Sequence, residues 1–156
     1  DKAFGGTGGF LCGSKHMIDF LRVASRSSIL SSSLPVGMAG GMLKSVELIG
    51  KAGDARKKIV SNAMRLKNEL RRIGYTIIGD DPIPAVALHV GSEAKGIAFA
   101  EMLWSEQIFS PIIRWPAVPE GSSRFRLLVM ESHTDAHINH LASACSRIGR
   151  ELGLVT

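Results

Sequence analysis

Asp1-Lys2-Ala3-Phe4-Gly5-Gly6-Thr7-Gly8-Gly9-Phe10 opens the chain, and the reading of its lysine decides how the rest is assembled. Four glycines in the five positions after Phe4 let the backbone adopt positive φ and approach another group closely. Two readings are open here. One is an exposed terminal lysine followed by a flexible tail. In the other, Lys2 is a reactive amine and the glycines clear room around something bound to it. The residues downstream must choose.

The totals narrow the field. At 156 residues the chain is one ordinary domain or a piece of a larger protein, and 45% apolar with 21% charged residues describes a globular chain. The net charge of +5 is modest. Its densest basic cluster, Arg56-Lys57-Lys58, has no interleaved aromatics, which argues against a nucleic-acid surface. Cys12 and Cys145 lie far apart and form no CxxC, as expected of a reducing, cytoplasmic compartment. No apolar run approaches the roughly 20 residues of a membrane span. The chain begins in the middle of what reads as a working loop, so a longer protein is expected.

Lys15 to Ala24 has a short helical pattern, followed by the serine-rich run Ser25 to Ser33. That run reads as a solvated linker or, at Ser33-Leu34-Pro35, as a capped helix start with hydroxyls near an anion seat. Val36 to Ile73 repeats its apolar residues at three and four, with Gly50 and Gly53 as points of interruption and Gly74 as the C-cap. Such a helix is expected to bridge two domains, 1–52 and 53–156. Beyond Gly74 the pattern predicts strands at 75–78, 84–90, 108–113 and 123–130 and helices at 93–103 and 134–152. The fold class is α/β overall, with a compact α+β unit after Gly74.

Two sets of polar residues attract attention. His133, His137 and His140 have spacing that invites a metal, but they lack the H-E-x-x-H carboxylate and flank the buried stripe of the last helix. No metal site is expected. Arg114, held between a strand and Trp115-Pro116-Ala117-Val118-Pro119, suits bidentate capture of a carboxylate. A rim arginine in a salt bridge is the alternative. Arg126, on the alternating strand, suits either part.

Together these pieces resemble the α-oxoamine synthases, within the fold-type I aminotransferase superfamily. Lys2-Ala3-Phe4-Gly5-x-x-Gly8-Gly9-Phe10 is similar to the family's lysine segment, and Leu30-Ser31-Ser32-Ser33-Leu34-Pro35 to its next motif. Ile113-Arg114-Trp115-Pro116-Ala117-Val118-Pro119-Glu120-Gly121 with Arg124-Phe125-Arg126-Leu127 is similar to its C-terminal motif. Ser132-His133-Thr134 and the closing helix also fit. Asp1, where serine or glycine is usual, and Trp115, where proline is usual, depart from the pattern.

The resemblance implies the tail of a large domain joined by a long helix to a small domain with a mainly antiparallel sheet. It also implies a homodimer that uses pyridoxal 5'-phosphate to condense an amino acid with an acyl-CoA thioester, with decarboxylation. Lys2 would hold the cofactor covalently and act as the base, and Ser31 would reach the cofactor phosphate of the partner subunit. Arg114 or Arg126 would hold the substrate carboxylate, depending on the branch of the family. Other cofactor contacts would lie upstream, so this stretch alone is expected to be inactive. The alternative is a non-catalytic or truncated member that pairs with a complete subunit; such subunits typically lack the lysine.

Overall fold

Residues 2–156 are described by a computed structural model, and the chain divides into two compact units, one ending at Gly53 and the other running from Asp54 to Thr156. In the first unit, Lys2–Phe4 forms a 3-10 turn and is followed by α1 (Lys15–Ala24), α2 (Arg26–Ile29) and α3 (Val36–Lys51). Ser14 caps α1 by accepting from the Met17 amide at 3.3 Å, and Ser25 caps α2 by accepting from Ser28 at 3.4 Å. The serine run is therefore partly helical. Ser33 does not cap α3: Pro35 occupies the cap position at φ −55° and ψ 138°, with no side-chain cap. A proline holds the residue before it extended, which carries the Ser33 hydroxyl away from the first free amides.

The Ser45 hydroxyl donates to the Phe4 carbonyl at 3.0 Å, tying the opening turn to α3. A Cβ at Gly6 would fall 2.6 Å from the Met38 sulfur, so the loop passes close over α3 and a larger residue there would make the methionine side chains shift. Glu47 takes Lys44 at 2.8 Å and Lys51 at 2.7 Å, and these ammonium groups hold its carboxyl below the usual range. None of the described residues of this unit is buried, and Phe10, Phe20, Leu30, Val36 and Leu43 are exposed.

The helical stretch expected over 36–73 is two helices, interrupted where Gly50 and Gly53 stand. Ala52, between Gly50 and Gly53, leaves helical geometry at φ −85° and ψ 39°. The second helix, α4 (Gly53–Ile73), buries Ala63, Leu66 and Leu70 along one stripe. It ends at Gly74, whose φ of 110° lets Tyr75 donate back to the Leu70 carbonyl at 3.0 Å.

The remaining elements of the second unit are β1 (Ile77–Ile78), β2 (Ala85–Gly91), α5 (Glu93–Ser105), β3 (Ile112–Ile113), β4 (Ser123–Leu128) and α6 (Asp135–Glu151). The four strands form one antiparallel sheet in the order β1-β2-β4-β3. The strand expected over 108–113 keeps only its last two residues. Ile108 donates to Leu103 at 2.9 Å to close α5, and Pro111 has no N–H to give a ladder.

Alternation along β2 and β4 sends Val86, Leu88, Val90, Phe125 and Leu127 inward, where they share one core with apolar residues of α4, α5 and α6. The Phe99 and Phe125 rings pack with centroids 5.1 Å apart. Tyr75 donates to the Cys145 carbonyl at 2.8 Å, and its oxygen lies 2.1 Å from where a Gly149 Cβ would stand. Burial raises the Tyr75 phenol and pushes the Cys145 thiol up to about 12, so that thiol stays protonated and inert. Lys67 is only 1% exposed and donates to the Asp81 carbonyl at 2.6 Å, fastening α4 to the turn between β1 and β2.

Candidate active site

In the first unit, Lys2 stands at φ 54°, with its side chain exposed and its amine without a partner among the described residues. The left-handed region is unusual for a residue with a side chain, and Gly5 continues the same sharp course at φ 67°. Gly8, at φ 127°, passes so close to Leu34 that a Cβ would lie 3.0 Å from its Cδ2. An open hollow of about 670 Å³ is lined by Gly8, Gly9, Arg22, Ser27, Ser28 and Ser31 among others. Ser31 donates its hydroxyl to the Ser27 carbonyl. Hydroxyls, an arginine and close-passing glycines are the donor set a phosphate takes, so the residues fit the phosphate end of pyridoxal phosphate. Lys2 lies outside that lining. Ser27, Ser28 and Arg22 were not picked out from sequence, where only the density of serines hinted at them.

In the second unit the two candidate arginines differ. Arg114 follows β3 and pairs with Glu93, the first residue of α5. Its Nη1 donates to the Glu93 carboxylate. Arg126 lies within β4, opposite Ala87 of β2. It is exposed on the sheet face away from the helices, and its guanidinium has no partner among the described residues. Its neighbour on that face, Arg124, is tied to Ser122 through Nε at 3.2 Å and Nη2 at 3.3 Å. The register of β3 with β4 sets Arg114 roughly 10 Å from Arg126 along the strands, at about 3.3 Å per residue. The structure does not bring the two together. Sequence reasoning missed Glu93, although an acidic residue in a helix's first turn is a recognisable signal.

The histidines serve the backbone. His133 Nδ1 accepts from the Met130 amide at 3.2 Å and His137 Nδ1 from the Thr134 amide at 3.3 Å, while Thr134 caps α6 in return. His140 Nε2 meets the Glu106 carbonyl at 3.1 Å. No helix among the described residues is long and apolar enough to cross a membrane.

The chain is similar to α-oxoamine synthases in sequence and in fold. It is 31% identical over 154 residues to the 8-amino-7-oxononanoate synthase of Treponema denticola, covering 99% of this chain and 39% of that protein. It is 35% identical over 155 residues to the synthase of the same name from Geotalea daltonii, covering 98% and 39%. A solved serine palmitoyltransferase of Sphingomonas wittichii superposes with a TM-score of 0.89 at 24% identity over 98% of this chain and 39% of that one, which speaks for the fold. This chain thus spans about two fifths of the length of these relatives. The pattern of the aminotransferase class I and II family matches residues 2–145, and the chain belongs to that family.

Proposed function

We propose that this chain is the C-terminal portion of a pyridoxal-phosphate-dependent C-acyltransferase. The enzyme would condense an amino acid with an acyl-CoA thioester and release CoA and carbon dioxide. Residues 1–52 would close the large cofactor-binding domain and begin the link, and 53–156 would form the small domain. One observation carries the reading: in a chain of this family, Lys2 offers an exposed amine, unpaired among the described residues, at the head of a glycine loop with left-handed turns.

When bound, pyridoxal phosphate would supply an electron sink for the charge left at the substrate's α-carbon. Lys2 would hold it and, once displaced by the substrate amine, carry the proton from and to that carbon. The Ser31 hydroxyl, turned from the Ser27 carbonyl, would donate to the phosphate held by a second copy of the chain, in keeping with the absence of Lys2 from the hollow that Ser31 lines. Arg126 would orient the substrate carboxylate, since its guanidinium has no partner among the described residues whereas Arg114 is already neutralised by Glu93.

The test is to add pyridoxal phosphate to the full-length protein, reduce with borohydride and map the modified peptide. The label is expected on Lys2. A label on another lysine, or no visible band before reduction, would sink the proposal. For the arginines, Arg126→Ala is expected to weaken amino-acid binding at least about tenfold, as loss of a charge-assisted pair does. Arg114→Ala is expected to cost less, and equilibrium titration of the amino acid compares them. The reverse order would return the role to Arg114.

A further inference from the structure

A cavity of about 310 Å³ in the second unit contains neither candidate arginine. Its apolar floor is made by Leu66, Leu127, Val129 and Ile138, all buried, and His133, His137 and His140 also line it. Among the described residues, no acidic side chain, lysine or arginine lines it. The hydrogen bonds fix the protons on its rings. A backbone N–H only donates and a carbonyl only accepts. His133 and His137 each accept an amide on Nδ1, so the neutral rings carry their protons on Nε2. His140 donates from Nε2 to the Glu106 carbonyl and is spent on holding the end of α5. Two ring N–H donors therefore remain for a ligand, on rings packed edge to face with centroids 5.9 Å apart. They are braced from behind, because Asn62 donates to the carbonyls of His133 at 2.9 Å and Met130 at 3.4 Å.

We propose that this cavity binds a small monocarboxylate, with its apolar body on the leucine-rich floor and its two oxygens on the Nε2–H groups of His133 and His137. Each bond would span about 2.9 Å, from one ring N–H to one carboxylate oxygen. The charge makes both bonds the stronger, charge-assisted kind that a carboxylate needs in an apolar pocket. An amine would meet two donors. A phosphate dianion would bring twice a carboxylate's charge and more acceptor oxygens than the two donors satisfy. The volume lies at the low end of the roughly 300–1,000 Å³ typical of ligand pockets, which selects a short body. This site is separate from the proposed acyl-transfer chemistry and does not rest on it.

The experiment is calorimetry on the full-length protein with hexanoate, hexanol and inorganic phosphate. Hexanoate is expected to bind saturably, once per chain, hexanol at least about tenfold more weakly, and phosphate not at all. Asparagine places its oxygen where Nδ1 stood, so His133→Asn and His137→Asn keep the backbone bond and delete only the Nε2 donor. Each is expected to weaken hexanoate at least about tenfold. Ser110→Trp, at another position in the lining, fills the cavity without altering a histidine and is expected to abolish binding. Circular dichroism confirms that the variants are folded, and if an asparagine variant unfolds, Ser110→Trp decides. The proposal is overturned if hexanoate fails to bind, if hexanol binds as well, or if hexanoate affinity survives either the paired asparagine changes or Ser110→Trp.

Discussion

Lys2→Ala in the full-length protein is expected to lower turnover by about three orders of magnitude or more while leaving the thermal midpoint unchanged. The proposed role gives the amine two tasks, covalent attachment and proton transfer, and a positioned acid–base group alone contributes on the order of 10²–10⁴ in rate. The fold should not notice the loss, because the Lys2 side chain is exposed and its amine has no partner among the described residues. Added methylamine, which restores an amine but not its position, is expected to recover part of the activity. The measurement is steady-state release of CoA with saturating cofactor. Turnover within tenfold of the parent would remove Lys2 from the chemistry.

Phe125→Ala is expected to destabilise the second unit by about 3–5 kcal/mol, the cost of emptying a fully buried aromatic site. Phe125 is 0% exposed at the centre of the sheet's inner face and packs on Phe99, so its neighbours can collapse only partly into the space. Against a typical total of roughly 5–15 kcal/mol, that loss is enough to bring unfolding close to working temperature. Phe109→Ala is the control. At 79% exposure it should change stability by no more than about 0.5 kcal/mol. Urea unfolding followed by fluorescence compares the two, and equal midpoints would mean that the core is not where the sheet's alternation places it.

The sequence was most legible where one local rule acted alone. Alternation at Ser123–Leu128 and the apolar stripe of α6 predict the buried faces correctly, and Gly74 ends its helix by the mechanism its residue type suggests. It was least legible where neighbouring rules competed. Pro35 displaced the Ser33 cap, and Pro111 with the closure of α5 shortened the strand ending at Ile113. The candidate site shows the same divide. Motif order singles out Lys2, Ser31, Arg114 and Arg126, but the carboxylate of Glu93 that occupies Arg114 comes from 21 residues away and has no signature in the motif itself.

The strand order has a consequence for assembly in time. β1 and β2 are near neighbours in sequence, as are β3 and β4, so each pair closes a short loop. The seam between β2 and β4 instead joins residues roughly 30 to 45 positions apart, and such non-local pairing must overcome chain entropy before it is rewarded. During synthesis, β2 emerges with one edge unpaired and waits for β4 while α5 is made. Its exposed edge is therefore the point at which a stalled chain would pair with a neighbour, and Gly91, which shifts the register there at φ 78°, interrupts that template at its end.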